Sequence, residues 1–439
     1  MAFLPIAENR TNPVNLLARH SLLLSAALAG SALLAQGAAE APAIPRRFPI
    51  TDFGAIGDGH TLNTAAIQSA IDHSSQAGGG VVVVPEGTFM SGAIFLKPGV
   101  NLRVEKGGVL KGSNQLKDYL PVGVSETERG RQPFALVNAL DLTGVEVSGE
   151  GVIDGNGQRW WDEYWVLRNT KDPDLAFKTR RPRLLHFTSC KQVRVAGLHL
   201  QNQAVWCLHL QFCEDAVAED LTIRAGHTAP SSDGIDVDSC KHTRITRCDI
   251  DVNDDDISIK AGVPGDPTRP PRPCEDVLVE HCRFGYGHGG VAMGSETYGG
   301  IRNVEVRDCV AEDDNFAPIR FKSTPARSGV VENIVFRNLE MRGVRRAFEI
   351  NMNWSSGTSG PQVPAKVLPV FRNLQFINVT GTAQSAGFIT GLKGSPVQGV
   401  TFSNVKLTTG TGLTLESAGD LNLSGLSLAV KEGDAVIRK

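Results

Sequence analysis

The stretch Cys190-Lys-Gln-Val-Arg-Val-Ala-Gly-Leu-His-Leu carries small or apolar side chains at its first position and at offsets three, five and eight. The same template returns at Cys213, Cys240, Cys274, Ile301, Val331, Phe371, Val397 and Ala418, for example as Val397-Gln-Gly-Val-Thr-Phe-Ser-Asn-Val-Lys-Leu. A short unit that cannot bury its own apolar face, repeated along the chain, marks a stacked solenoid. The spacing runs from 21 residues, between Val397 and Ala418, to 40, between Val331 and Phe371. Propeller blades of fixed size do not fit such unevenness, whereas coils of parallel strands absorb it in their loops. The chain is therefore expected to be all-β, a single-stranded parallel β-helix solenoid.

The template also explains the cysteines. Cys190, Cys213, Cys240 and Cys274 share its first position, and Cys248, Cys282 and Cys309 share offset eight. They are expected to stack as ladders of small apolar side chains. Adjacent coils are close enough for a bridge or two, but no Cys-x-x-Cys pair suggests zinc.

Within the repeat, Ser231 to Lys260 reads SSDGIDVDSCKHTRITRCDIDVNDDDISIK and is dense in aspartate. Ile235 and Val237 alternate with Asp236 and Asp238, and Ile257 and Ile259 with Ser258 and Lys260, the period of a half-buried strand. Gly290-Val-Ala-Met-Gly and Pro318-Ile-Arg-Phe-Lys repeat the form. Stacked in parallel, these strands gather Lys260, Arg320 and Lys322 on the outward face. Asp233, Asp254, Asp255 and His288 then stand at the strand entrances. Carboxylates, an imidazole and cations on one wall look like a site. Asp236, Asp238 and Asp251 are expected to be solvated, Asp256 to lie in a turn, and Lys260 to neutralise the aspartates. His209, His227 and His281 are expected to be packing or surface residues.

Ahead of the repeat, Asn63 or Thr64 can cap a helix over Asn63–Asp72 with Ile67, Ala70 and Ile71 on its apolar face. No second helical pattern of that quality follows. With 47 glycines and 6% aromatics, the composition suits a turn-rich β protein. A net charge of −3 with no basic stripe gives no case for nucleic acid. At the N-terminus, Arg10, Arg19 and His20 precede an apolar run from Leu22 to Ala35, then the small residues Gly37, Ala38, Ala39 and Ala41. This is the layout of a secretory signal peptide over residues 1–40, cleaved near 37–41, with the parallel β-helix domain in 41–439. The run is shorter than the roughly 20 residues of a membrane span. A secreted or periplasmic protein, free of the membrane after cleavage and monomeric, is expected.

Four motifs in order resemble glycoside hydrolase family 28, the polygalacturonases and their relatives. The family's Asn-Thr-Asp-Gly-Ile-Asp is similar to Ser231-Ser232-Asp233-Gly234-Ile235-Asp236, and its Gly-Asp-Asp to Asn253-Asp254-Asp255. Its Gly-His-Gly matches Gly287-His288-Gly289, and its Arg-Ile-Lys resembles Arg320-Phe321-Lys322. The resemblance covers roughly residues 48 to 410 and departs at the two serines, at Asn253 and at Phe321. It implies a right-handed parallel β-helix that cleaves α-1,4 galacturonosyl linkages of polygalacturonate, with inversion. By the same resemblance Asp254 is the general acid, and Asp233 and Asp255 hold and deprotonate water. His288 tunes Asp254. Arg320 and Lys322 project towards a sugar carboxylate.

The chemistry agrees, since glycoside hydrolysis needs one carboxylic acid and one carboxylate, and clustered aspartates divide these roles by mutual repulsion. The expected partner is an acidic plant cell-wall polysaccharide or oligogalacturonide, with no cofactor and no metal. Alternatives are a rhamnogalacturonan or xylogalacturonan hydrolase, a calcium-dependent pectate lyase-like β-helix, and a non-catalytic polysaccharide binder. Trp160 and Trp161 line a sugar subsite or pack as a lid. The segments Arg159–Arg183 and Pro264–Pro273 are placed to close one end of a cleft, which favours terminal cleavage.

Overall fold

The offset-five residues of the template form one continuous line through the interior. Val195, Ala218, Ile245, Val279, Val306, Phe336, Phe376 and Phe402 face one another in successive parallel strand pairs. All of them are buried. At the C-terminal end the line becomes a phenylalanine stack, with ring centroids 6.0 Å apart between Phe336 and Phe376 and 5.2 Å between Phe376 and Phe402. Burying each such ring contributes about 1.5–3 kcal/mol, so the repeat itself is the core.

The computed structural model describes residues 45–121, 133–266, 270–312, 314–355 and 366–439. Pro45–Lys439 make one compact unit, and the described residues form 31 strands in one wound sheet. The paired strands run parallel in three ladders, the topology of a parallel β-helix. The leader assigned to residues 1–40 lies outside the described residues. Among the described residues, no helix is long and apolar enough to cross a membrane.

The cysteine ladders stand where the template put them. Cys213 and Cys240 are in contact through the backbone N–H of Cys213 and Sγ of Cys240 at 3.3 Å, and Cys282 and Cys309 likewise at 3.4 Å. All eight cysteines are free and buried, so the bridges that the ladders would allow do not form.

The first helix runs from Thr64 to Gln76, one turn longer than expected, and buries Ile67, Ala70 and Ile71 as expected. Asn63 precedes it without a side-chain cap. Its amide serves the loop before it instead, accepting from Ile56 N at 2.7 Å and donating to Thr61 O at 2.7 Å.

A second helix, Gln158–Arg168, departs from the expectation of a single one. It buries Trp160, Trp161 and Tyr164, while Trp165 and Val166 face solvent, so apolar residues on both faces hide its period. Trp160 packs edge-on against Tyr119, and Trp161 donates Nε1–H to Gln203 O at 3.0 Å. With 1% and 6% of their surface exposed, these two tryptophans hold the helix down and do not line a subsite.

Candidate active site

One face of the β-helix carries the acidic stretch on consecutive rungs. The strands Leu208–Gln211, Ile235–Asp238, Asp255–Lys260, Gly289–Met293 and Ile319–Lys322 pair in sequence. Ile257 lies between Ile235 and Val291, and Val291 next to Ile319, all pointing inward and fully buried. Ser258, Ala292 and Arg320 occupy the matching outward positions.

The alternation breaks where each acidic strand begins. Strict parity would turn Asp233 inward with Ile235 and Asp255 inward with Ile257, yet both carboxylates meet cations of the outward face. Lys260 Nζ lies 3.3 Å from Asp233 Oδ2, while Asp255 receives Arg320 Nη1 at 3.0 Å and Lys322 Nζ at 2.5 Å. Asp254 is bonded to His288, Nδ1 to Oδ1 at 3.3 Å, and its Oδ1 accepts the backbone N–H of Asp255 at 3.0 Å. Oxygens of Asp233, Asp254 and Asp255 all lie within 4.8 Å of one another. The six residues read from the sequence therefore converge on one place.

The rung between Asp255 and the two cations is almost bare. Asp255 is opposite Gly289, and Ala292 separates Ser258 from Arg320. A Cβ at Gly289 would stand 3.0 Å from both Asp255 Oδ1 and the Arg320 side chain. Small residues there let Arg320 and Lys322 lean across a whole strand, two steps of ~4.8 Å, to reach one carboxylate.

Electrostatics separate the aspartates. Burial, then the neighbouring Asp236 carboxylate, pushes Asp233 well above the ordinary range, with Lys260 opposing. Burial acts on Asp254 in the same direction, but the hydrogen bond and charge of His288, with Lys322 and Arg320, outweigh it and hold Asp254 low. Asp255 is also held low, as Lys322 and Arg320 outweigh its burial. Close carboxylates titrate as a group, and here the surroundings favour the neutral form of Asp233 and the charged forms of Asp254 and Asp255.

Three carboxylates at this separation have the donors for a cation such as calcium. Each is already met by a basic side chain, however: Lys260 on Asp233, His288 on Asp254, and Arg320 with Lys322 on Asp255. Lys260, Arg320 and Lys322 are all buried. A divalent ion placed there would face three buried positive charges. The donor set suits protons and a bound water better.

Two residues expected in solvent are buried on this face, and Asp236 joins the network through Lys260. Asp236 is fully buried, 2.9 Å from Lys260 Nζ, and burial pushes it up to about 6 against the pull of that lysine. Asp238 is fully buried 3.4 Å from His209 Nε2, and His209 stacks on His186 with centroids 4.5 Å apart. Asp256 is buried too and accepts from Asn315 Nδ2 at 2.9 Å, with burial pushing it well up. Asp251, by contrast, is half-buried against His227. His227 and His281 lie at the surface and His209 in a packed stack, as expected. Lys260 bridges Asp233 and Asp236 and sits 4.6 Å from the Trp206 ring, so it does neutralise the cluster.

The helix Gln158–Arg168 and the turn after it stand over the loop leading into Asp233. Trp165 Nε1 donates to Thr228 O at 2.8 Å, and Arg181 Nη1 donates to Ala204 O at 2.9 Å and Pro230 O at 2.5 Å. On the other side, a cavity of about 220 Å³ opens beside His288, lined by Tyr286, Phe316, Arg320 and Arg345.

The sequence profile of the glycosyl hydrolases family 28 matches residues 75–420. A probable polygalacturonase of Vitis vinifera is 29% identical over 371 residues, 82% of this chain and 73% of that one. An exo-poly-alpha-D-galacturonosidase of Dickeya chrysanthemi is 28% identical over 432 residues, 87% of this chain and 70% of that one. The crystal structure of a hyperthermoactive exopolygalacturonase from Thermotoga maritima superposes with a TM-score of 0.71 at 29% identity, covering 86% of this chain and 92% of that one. Fold, site and profile coincide on one chain, which belongs to the glycosyl hydrolases family 28 and is a glycoside hydrolase.

Proposed function

We propose that the protein hydrolyses α-1,4 galacturonosyl linkages of polygalacturonate or its oligomers, without a metal and with inversion. The observation that carries this reading is the meeting of three carboxylates within 4.8 Å beside the cations of Arg320 and Lys322. Acid and base are thereby set next to a receptor for an anionic sugar. The similarity to a Dickeya exo-poly-alpha-D-galacturonosidase and a Thermotoga exopolygalacturonase supports the substrate class.

Asp254 protonates the leaving oxygen, and Asp233 and Asp255 hold the attacking water and take its proton. In the free site Arg320 and Lys322 help hold Asp254 low. A substrate carboxylate bound to those two groups cancels part of their field. Asp254 then rises and takes up the cluster's proton as the substrate arrives, so the acid is armed by the group that marks the correct substrate. His288 orients Asp254 through Nδ1 and limits that rise.

The protein is exported by its N-terminal leader and acts as a monomeric β-helix. The helix Gln158–Arg168 is tied to the loop before Asp233 by the bond from Trp165 Nε1 to Thr228 O, a placement that supports cleavage at chain ends. Product sizing on polygalacturonate tests this: monomer from the first minutes is expected, and an early ladder of oligomers would exclude terminal cleavage.

A further inference from the structure

The row of outward residues does not stop at Arg320. Glu349 is the next rung along and is buried, with Oε1 3.3 Å from Arg320 Nε and Oε2 in an ion pair with Arg346 Nη1. Asp255, Arg320, Glu349 and Arg346 thus form an alternating chain of charges leading away from the catalytic aspartates. At its end the Arg346 guanidinium lies 4.8 Å from the Phe316 ring centre and 4.9 Å from that of Phe388. Two rings and a buried carboxylate fix a cation whose side chain is still 28% exposed.

Arg346 borders a groove of about 480 Å³, lined also by Asn351, Phe388, Thr390, Thr414 and Glu416. This is within the size range of ligand sites. Phe388 stands on the rung after Glu349, and Thr414 on the rung after Phe388, so the groove continues the outward face past Arg320. Amide and hydroxyl groups suit sugar hydroxyls, and the half-buried Phe388 ring offers an apolar surface for a sugar face. Glu416 and Lys439 also line the groove with opposite charges, while Arg346 holds the end continuous with Arg320 through Glu349.

We propose that Arg346 is a second carboxylate receptor, which binds an acidic sugar one unit further along the chain than the one held by Arg320 and Lys322. The proposal rests on the galacturonan-hydrolase reading above. Glu349 is the positioning residue that links the two receptors, because one carboxylate sets both guanidinium groups. The site takes a substrate of three or more acidic units, since a dimer spanning the cleaved bond does not reach it. A planar guanidinium held between rings is pre-organised for bidentate pairing with a carboxylate.

The test compares kcat/KM on digalacturonate and trigalacturonate for the wild-type protein, Arg346→Ala and Arg346→Lys. In Arg346→Ala the trimer-over-dimer ratio is expected to fall about tenfold, the worth of one partly exposed charge-assisted contact. Arg346→Lys keeps the charge but loses the planar fork, and an intermediate ratio is expected. An unchanged ratio in both variants, including an equal fall on dimer and trimer, would overturn the proposal by reducing Arg346 to a prop for Glu349. A wild-type protein that cleaves neither oligomer would instead overturn the galacturonan reading itself. Should Arg346→Ala fail to fold, Arg346→Lys and trimer binding to Asp254→Asn, with and without the lysine change, decide the matter.

Discussion

Nδ1 of His288 lies 3.3 Å from Oδ1 of Asp254, close enough for the imidazole to share in setting when that carboxyl holds a proton. Burial pulls Asp254 upward, and the histidine's hydrogen bond and charge outweigh it, with help from Lys322 and Arg320. Replacing His288 with alanine removes a lowering influence. The acid form of Asp254 then persists to higher pH, so the alkaline limb of the kcat/KM profile should move up in pH. Maximal turnover should drop by about 10²-fold as the orienting bond is lost. A limb that moves down, or does not move, would contradict the role given to His288.

Parity and spacing encode the rungs of this fold, and they do not encode what covers the outward face. The template starting at Cys190 sets the register of every rung from Val195 to Phe402, because burial on a repeating strand leaves a repeating mark. It also brings Asp254 and His288 together, although 34 residues separate them. Parity marks Asp236 and Asp238 correctly as outward-facing, but on this face outward is not solvated. Their burial depends on Lys260 and His209 from neighbouring rungs, and on Trp206 over Lys260. The one signal of it in the sequence is Lys260 itself, a cation one rung from Asp238 in the midst of the aspartates. The helix Gln158–Arg168 escapes the pattern because its apolar residues serve two sides, Trp160 and Trp161 beneath and Trp165 against the Thr228 loop. Glu349 carries no signal until its rung is aligned with Arg320.

Arg320 is placed for a sugar carboxylate and is already bonded to Asp255 and Glu349. Arg320→Ala therefore weakens every substrate through Asp255, whose low pKa it helps maintain. Acidic substrates should suffer more, by about a further tenfold in kcat/KM, the value of one charge-assisted bond. Parallel assays on polygalacturonate and its methyl ester measure the difference. Equal losses on the two would remove the carboxylate-binding role.

Ala292 keeps the rung beneath Arg320 empty, and it is fully buried between Ser258 and Arg320. Ala292→Leu fills the space through which Arg320 leans towards Asp255. Overpacking of this kind costs about 1–3 kcal/mol, read as a lower denaturation midpoint. Turnover should fall by at least about tenfold in protein that is still folded, because the cation is pushed off its carboxylate. Full activity with unchanged stability would show that the contact does not need the bare rung.

The most direct measurement is the release of reducing ends from polygalacturonate by purified protein in excess chelator, with ultraviolet absorbance followed in the same tube and Asp254→Asn run alongside. Steady release by the wild-type protein is expected, with no absorbing unsaturated product, and a fall of about 10³-fold or more in the folded Asp254→Asn variant. Loss of activity in chelator, growth of the absorbance, or an Asp254→Asn variant that keeps its rate would contradict metal-independent hydrolysis by the three clustered aspartates.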